Sequence, residues 1–166
     1  TMLASILAAA GYKTGLYTSP HLVRVNERFR INGSDIPDAA LCRAAAAVKE
    51  ASGGMADAPT EFEILTAMGF WYFAAENCDA VVLEVGLGGR LDATNVIAAP
   101  EAAVIENIGL EHTAILGHTL PEIAREKAGI IKPGTTAVTY PVNGDVDAVY
   151  REICAERDAV WRPVRF

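Results

Sequence analysis

The chain has 166 residues, 51% of them hydrophobic and 21% charged, which is typical of a globular domain and excludes a disordered chain. With 14 basic and 21 acidic residues the net charge is −7, which argues against non-specific nucleic-acid binding but permits a local basic cluster for a small anion. The sequence contains no apolar run as long as a membrane span and no signal-peptide pattern.

The first 51 residues predict a helix, a strand, an arginine-containing loop, a hairpin and a second helix. These elements span residues 2–10, 14–18, 19–30, 29–36 and 37–51. The hairpin is predicted from Asn32-Gly33, a dipeptide that favours a tight turn. Gly11 ends the first helix, and Pro37 opens the second because proline suits the first helical turn.

A third helix and a further strand follow. Thr60-Glu-Phe-Glu63 matches a capping box, and the helix that it opens is predicted to run to about Asn77. Its apolar residues recur at helical spacing and are predicted to be mostly core. They are Ile64, Leu65, Met68, Trp71 and Tyr72. The apolar run 80–83 predicts a strand that is buried on both faces, as in a parallel sheet.

The remaining chain alternates strands with helices. Strands are predicted at 102–105, 137–140 and 160–164. One helix begins with the capping box Thr119-Leu-Pro-Glu122 and is closed by Gly129, and another is capped by Asp145. The fold class is therefore α/β, with a mainly parallel sheet flanked by helices and no recognisable internal domain linker.

The glycine-rich stretch that follows strand 80–83 is the strongest candidate for a functional site. The strand stops at Glu84, and ligands of α/β folds gather where strands end. A carboxylate there can hold Mg²⁺ directly or through water, and Gly86, Gly88 and Gly89 let backbone approach a ligand closely. A lone glutamate at a strand end is, however, more often a solvated edge residue. The loop is not the dinucleotide-binding fingerprint, because Leu91 occupies the position of its third glycine.

Two further polar residues follow later strands, and both also have structural interpretations. Glu84, His112 and Lys127 are expected to meet at the same edge of the sheet. His112 can ligate a metal or carry a proton, but a structural role fits it too, as it fits His118 and His21. Lys127 lies in the last turn of a helix, where a cation also complements the helix dipole.

Six segments, in order, closely resemble the folylpolyglutamate synthase/dihydrofolate synthase family of the Mur ligase superfamily. They are Leu16-Tyr-Thr-Ser-Pro-His-Leu22, Asn26-Glu-Arg28, Thr60-Glu-Phe-Glu63, Leu83-Glu-Val-Gly-Leu-Gly-Gly-Arg-Leu-Asp-Ala-Thr-Asn95, Glu111-His-Thr113 and Arg125-Glu-Lys-Ala-Gly-Ile-Ile-Lys-Pro-Gly134. The resemblance spans about residues 1 to 140, and the glycine-rich block and the Glu-Lys-Ala-Gly-Ile block are its most specific parts.

The resemblance implies an ATP-dependent carboxylate–amine ligase with a Mur ligase central domain, which is similar to P-loop NTPases. ATP would phosphorylate a carboxylate of folate or dihydropteroate, and the amine of L-glutamate would attack the acyl phosphate. Mg²⁺ and ATP are the implied cofactor and co-substrate, in folate biosynthesis and one-carbon metabolism. No nucleic acid or membrane partner is expected. The parent enzyme is expected to be a cytoplasmic monomer.

The chain has three cysteines that lie far apart, Cys42, Cys78 and Cys154. Each is expected to be a core or half-buried residue of a reduced protein.

The resemblance also implies roles for individual residues. The family's Mg²⁺-binding glutamate and histidine fall on Glu84 and His112, and its often carbamylated lysine falls on Lys127. Carbamylation would convert a cation that repels Mg²⁺ into a carboxylate-like ligand. The implied catalytic and metal-site residues are thus Glu84, His112 and Lys127. The implied substrate-binding residues are Ser19, Pro20 and His21 of the folate loop and Thr60, Phe62 and Asp92 of the pterin pocket. Arg24 and Arg28 are further candidates for anionic tails, although either alone is better explained as part of a solvated loop.

The chain departs from the family pattern in two places. Glu111-His112 stands where the family has Asp-His, and the Walker A loop is absent, so no nucleotide-binding residues are assigned. Residues 1–166 are therefore expected to be a partial central ATPase domain without the C-terminal domain, inactive alone. Two alternatives remain. One is another Mur-type amide ligase, for example one acting on peptidoglycan precursors, and the other is a non-catalytic folate-binding module.

Overall fold

The computed structural model describes residues 1–164, and the chain divides into two compact units between Glu84 and Val85. We call residues 1–84 the first unit and the residues from Val85 onward the second unit. The sequence shows no linker at this boundary because a strand leads directly into the glycine-rich loop. Within residues 1–164, none of the helices has the length and apolar character needed to cross a membrane. The single partial domain stays a prediction.

The first unit contains three helices and a four-stranded sheet. The helices are α1 (Met2–Ala9), α2 (Asp38–Ser52) and α3 (Glu61–Ala75), and the strands are β1 (Thr14–Tyr17), β2 (Phe29–Ile31), β3 (Ser34–Asp35) and β4 (Ala80–Leu83). The strand order is β3-β2-β1-β4, with β1 parallel to β4 and the other pairs antiparallel. The predicted hairpin is confirmed, since Asn32 and Gly33 both have positive φ, 48° and 83°, as a tight hairpin turn requires.

One core joins β1 and β2 to α2 and α3 in the first unit. Phe29 is fully buried, and its ring lies 5.6 Å from the ring of Tyr17. Three of the five residues that the helical spacing of α3 predicts as core are buried, namely Leu65, Met68 and Tyr72. The other two, Ile64 and Trp71, pack partly buried against this core.

Strand β4 is not buried on both faces, so that prediction is wrong. Among the described residues β4 pairs only with β1, at the edge of the sheet, and Val81 remains 40% exposed. A short apolar run does not distinguish a central strand from an edge strand, because hydrophobicity alone carries no information about neighbours.

Residues 85–164 of the second unit contain three helices and a three-stranded parallel sheet. The strands are β5 (Ala102–Ile105), β6 (Thr136–Thr139) and β7 (Val160–Pro163), and the helices are α4 (Thr113–Leu116), α5 (Leu120–Lys127) and α6 (Gly144–Glu156). Ile123 of α5, Tyr150 of α6 and Ala137 of β6 are fully buried in its core. The predicted α/β class, with a parallel sheet flanked by helices, is confirmed, and its strands are distributed over two sheets.

Three local predictions for single residues are wrong. Asn143, not Asp145, caps α6, because its Oδ1 accepts hydrogen bonds from the amides of Asp145 and Val146 at 3.1 and 3.0 Å. Gly129 does not close α5, which ends at Lys127 and continues as a 3₁₀ helix over Ala128–Ile130. Cys42 is exposed, whereas Cys78 and Cys154 are half-buried and buried as expected.

Candidate functional site

The carboxyl ends of β1 and β4 place Glu84 beside the loop that follows β1. The amide of Ser19 donates to Glu84 Oε2 at 2.8 Å, and the amide of Glu84 donates to the carbonyl of Tyr17 at 3.0 Å. Glu84 is exposed, and its Oε1 accepts no hydrogen bond within residues 1–164. The structure thus places Glu84 at the end of β4, as the sequence predicts, and an exposed carboxylate there fits a solvated edge residue as well as a metal ligand, so the metal-binding role stays a prediction.

The loop between β1 and β2 is held by the carboxylate of Glu27, which belongs to the resembling segment Asn26-Glu-Arg28 but has no role predicted from the sequence. Glu27 lies in the 3₁₀ helix Val25–Arg28, and its Oε2 accepts from the amide of Leu22 at 2.9 Å. Its Oε1 accepts from the amides of Val23 and Arg24 at 3.0 and 2.8 Å. The hydrogen bond from Leu22, followed by that from Arg24, lowers the pKa of the Glu27 carboxyl.

Arg28 and Arg24, the two candidate anion partners, both contact side chains of the protein. Arg28 Nε donates to His21 Nδ1 at 2.9 Å, which in a neutral imidazole places the ring proton on Nε2. Arg24 pairs with Asp38 at 2.7 Å, and both side chains of this pair are largely exposed. An exposed pair of this kind adds little stability, so Arg24 remains able to exchange Asp38 for another anion.

Thr60 and Phe62 both have evident structural roles at the start of α3. The predicted capping box is confirmed, since Thr60 Oγ1 accepts from the amide of Glu63 at 3.3 Å and the amide of Thr60 donates to Glu63 Oε2 at 2.7 Å. The bond from the Thr60 amide lowers the pKa of Glu63. Phe62 is half-buried, with its ring 6.3 Å from that of Tyr17. A pterin-binding role for Thr60 and Phe62 stays a prediction.

In the second unit, Asp92 holds the glycine-rich loop together. Its Oδ2 accepts from the amides of Gly86 and Leu87 at 3.1 and 2.9 Å. Its Oδ1 accepts from the amide and the hydroxyl of Thr94 at 2.9 and 2.6 Å. Both oxygens therefore bond to the residue's own loop, and contact with a pterin stays a prediction for this side chain.

The end of α5 packs closely against the glycine-rich loop, and we call the contact of Gly89 and Arg90 with residues 126–129 the interlock. The amide of Arg90 donates to the carbonyl of Glu126 at 2.9 Å, and their side chains form an ion pair at 3.1 Å. A Cβ at Gly89 would lie 2.7 Å from the carbonyl oxygen of Lys127, and one at Gly129 would lie 2.4 Å from Arg90 Cα. Only glycine fits at either position, which explains why the two most specific sequence blocks carry these glycines.

Asn95 adds a hydrogen-bonded bridge to the same interlock. Its Nδ2 donates to the carbonyls of Arg90 and Gly129 at 3.0 and 3.2 Å. We expect Asn95→Ala to lower the free energy of unfolding by about 1 to 2 kcal/mol, because the carbonyl of Arg90 loses this donor and the carbonyl of Gly129 is left with the longer bond from Arg157 Nη1 at 3.4 Å. Urea unfolding followed by circular dichroism measures this change.

A matched control for that variant is Asn107→Ala, which removes an exposed amide that makes no hydrogen bond within the described residues. The control is expected to unfold at the wild-type urea concentration. Equal midpoints for Asn95→Ala and Asn107→Ala would show that Asn95 does not stabilise the interlock.

Lys127, His112 and Glu111 all lie in the second unit. Glu111 contacts Lys127 and directly precedes His112 in the chain. Lys127 Nζ pairs with Glu111 Oε1 at 3.1 Å, and the lysine side chain is 23% exposed. His112 is exposed and has a left-handed backbone, φ 48° and ψ 38°, at the N-terminal end of α4. Glu111, the residue that departs from the family pattern, is thus the direct partner of Lys127.

The predicted metal residues differ in how well they fit Mg²⁺. The carboxylate of Glu84 is a hard oxygen donor of the kind that Mg²⁺ prefers. Lys127, as an ammonium ion paired with Glu111, has no lone pair to offer a metal. Within residues 1–164 no three His, Cys, Asp or Glu side chains form a group that could hold a metal ion. Glu84 ends the first unit and the other two lie in the second, so their meeting stays a prediction.

In comparisons with known proteins, the chain is similar to part of enzymes that are named for folylpolyglutamate and dihydrofolate synthesis. Folylpolyglutamate synthase of Lacticaseibacillus casei is 43% identical over 164 residues, which are 96% of this chain and 38% of that protein. Dihydrofolate synthase/folylpolyglutamate synthase of Escherichia coli is 47% identical over 136 residues, 82% of this chain and 32% of that protein. The chain thus spans less than two fifths of the length of these relatives. No protein-family model matches it.

Solved structures agree with these sequence matches. The apo form of L. casei folylpolyglutamate synthase matches 97% of this chain and 40% of its own, with a TM-score of 0.90 at 43% identity. The E. coli enzyme in complex with DHPP and ADP matches 97% and 38%, with a TM-score of 0.89 at 40% identity. The fold is therefore that of a Mur ligase. Across most of its length the chain is a homologue of folylpolyglutamate synthase/dihydrofolate synthase.

Proposed function

We propose that the protein containing this chain is an ATP-dependent ligase that adds L-glutamate to dihydropteroate, to folylpolyglutamates or to both. The observation that carries the proposal is the identity of 43% and 47% to two enzymes named for these activities. Related solved structures are described as complexes with AMPPCP and folate and with DHPP and ADP. Since the chain spans only part of these relatives, the activity is proposed for the whole protein. A cytoplasmic location and a monomeric state belong to the same proposal.

The proposed reaction proceeds in two steps. An oxygen of the substrate carboxylate attacks the γ-phosphorus of ATP, so that the bond to ADP breaks and an acyl phosphate forms. The amine of glutamate then attacks the acyl carbon, inorganic phosphate leaves with the electron pair of the broken carbon–oxygen bond, and the new amide nitrogen loses its extra proton. In this proposal the loop containing Ser19, Pro20 and His21 contacts the folate, with Thr60, Phe62 and Asp92 at the pterin.

Mg²⁺, when bound, would neutralise and orient the transferring phosphoryl group. We assign Glu84 as a ligand because its carboxylate is exposed and its Oε1 accepts no hydrogen bond from the described part of the chain. The exposed ring of His112 is a second proposed ligand. Lys127 fits the role only after carbamylation, which would replace its positive charge with a carboxylate and require the ion pair with Glu111 to break.

The test is phosphate release by the full-length protein with ATP, dihydropteroate and glutamate, repeated with a folylpolyglutamate in place of dihydropteroate. We expect release that depends on glutamate with at least one of the two substrates. Omitting glutamate controls for simple ATP hydrolysis. Release with neither substrate, from folded protein that accepts a UDP-linked muramyl substrate, would establish the other Mur-type ligase instead. Folate binding that never depends on ATP would establish the non-catalytic folate-binding module.

A further inference from the structure

We propose that Glu27 is a positioning residue for folate binding, because its carboxylate fixes the backbone of residues 22–24 before the substrate arrives. The inference rests on the proposed function, in which the preceding residues Ser19 to His21 contact the folate. Glu27 itself would touch no substrate. It would act through the loop, by reducing the number of conformations that the loop adopts in the free protein.

The first argument is the number and kind of hydrogen bonds at this carboxylate. Three consecutive amides, those of Leu22, Val23 and Arg24, donate to the two oxygens of Glu27 at 2.8 to 3.0 Å. Hydrogen bonds to an ionised carboxylate are about twice as strong as those between neutral groups. A single charged side chain therefore fixes three successive peptide units.

The second argument is that side-chain packing does not hold this segment. Leu22 and Val23 are 91% and 84% exposed, so neither apolar side chain is buried against the protein. Exposed apolar side chains gain no free energy from burial and cannot order a loop. The hydrogen bonds to Glu27 are then the principal restraint on residues 22 and 23, whereas Arg24 is also paired with Asp38 through its exposed side chain.

The third argument is that the residues next to Glu27 are themselves held in place by burial and hydrogen bonds. Its neighbour Asn26 is buried and donates to the carbonyl of Ile36 at 2.8 Å, and Phe29, which opens β2, is fully buried. The amide of Thr18 also donates to the carbonyl of Arg28 at 3.1 Å, which joins the start of the loop to these residues. A carboxylate anchored in this way holds the loop in one place.

Pre-ordering has a defined consequence for binding. When only a fraction of the free protein has the binding-competent loop, the apparent dissociation constant rises by the inverse of that fraction. Loss of the Glu27 charge is therefore expected to raise KM for the folate substrate about 10-fold, the factor that corresponds to the loss of one charged hydrogen bond. The value of kcat is expected to stay within about 2-fold, because the bound loop is the same.

The experiment compares wild type, Glu27→Gln and Glu27→Ala in the full-length protein. Hydrogen exchange of the amides of residues 22–24 reports directly on the restraint, and we expect about 10-fold faster exchange in both variants. Glu50→Gln is the matched control, because Glu50 is an exposed carboxylate whose side chain makes no hydrogen bond or ion pair within the described residues. Exchange of the buried strand β1 shows whether the variants remain folded.

The outcomes separate this inference from the proposed function. Wild type that binds no folate would refute the proposed function. Wild type that binds folate, together with Glu27 variants that have wild-type KM or wild-type exchange at residues 22–24, would refute the positioning role. Faster exchange at residues 22–24, raised KM and retained kcat in both variants, with Glu50→Gln like wild type, would establish it.

Discussion

Gly129→Ala is expected to lower the free energy of unfolding by about 3 kcal/mol, at the upper end of the usual cost of overpacking. A Cβ at this buried position would lie 2.4 Å from both Cα and Cβ of Arg90 and 2.8 Å from its backbone nitrogen. These are largely backbone atoms, which cannot rotate away as the end of a flexible side chain does. Urea denaturation monitored by circular dichroism measures the loss.

Gly144→Ala is the control for this variant. Gly144 is the first residue of α6, and no atom lies within 4 Å of a Cβ built on it. Alanine favours helix over glycine, so the control is expected to be as stable as wild type or slightly more stable. If Gly129→Ala and Gly144→Ala unfolded at the same urea concentration, the close contact with Arg90 would be refuted.

Glu84→Ala is expected to reduce glutamate-dependent phosphate release by the full-length protein about 10²- to 10³-fold, as removal of one charge-stabilising group commonly does. The prediction rests on the proposed function and on the exposed carboxylate at the end of β4. Alanine also removes the acceptor for the Ser19 amide. The measurement is therefore made with Glu84→Gln as well, which keeps an oxygen for that amide but loses the charge.

If metal binding is the role of Glu84, the alanine and glutamine variants lose turnover alike. If its role is only to hold Ser19, glutamine restores turnover and the metal assignment is wrong. Glu101→Ala removes an exposed carboxylate that makes no hydrogen bond in residues 1–164, and it is expected to keep wild-type turnover.

Local features of the fold are predictable from the sequence because their partners lie close along the chain. The capping boxes that begin at Thr60 and Thr119 each join residues three positions apart, and the Asn32-Gly33 turn joins adjacent strands. The sequence does not identify the cap of α6, because Asn143 and Asp145 are both good cap residues and only the structure shows that Asn143 accepts the hydrogen bonds. The edge position of β4 depends on strand pairing, which a short apolar run does not reveal.

The sequence predicts residues of the candidate site by one rule, which is that a polar or charged residue directly follows the end of a predicted strand. That rule finds Glu84 at the end of β4. It does not find the pair of Arg90 with Glu126, because 36 residues separate the two and nothing local marks them as partners. The sequence also does not predict the role of Glu27, because the residue three positions before it is Arg24, not the serine or threonine that marks a capping box.

The interlock between the glycine-rich loop and the end of α5 restricts how this protein can be redesigned. Gly89 contacts the backbone of Lys127, and Gly129 contacts that of Arg90, so each segment determines the space left for the other. In a mutant library, clones that replace Gly89 or Gly129 are expected to be destabilised, whatever their other changes. Because the atoms that a Cβ would meet are largely backbone, a change in the other segment does not relieve the contact, and a library that randomises both segments should keep glycine at both positions.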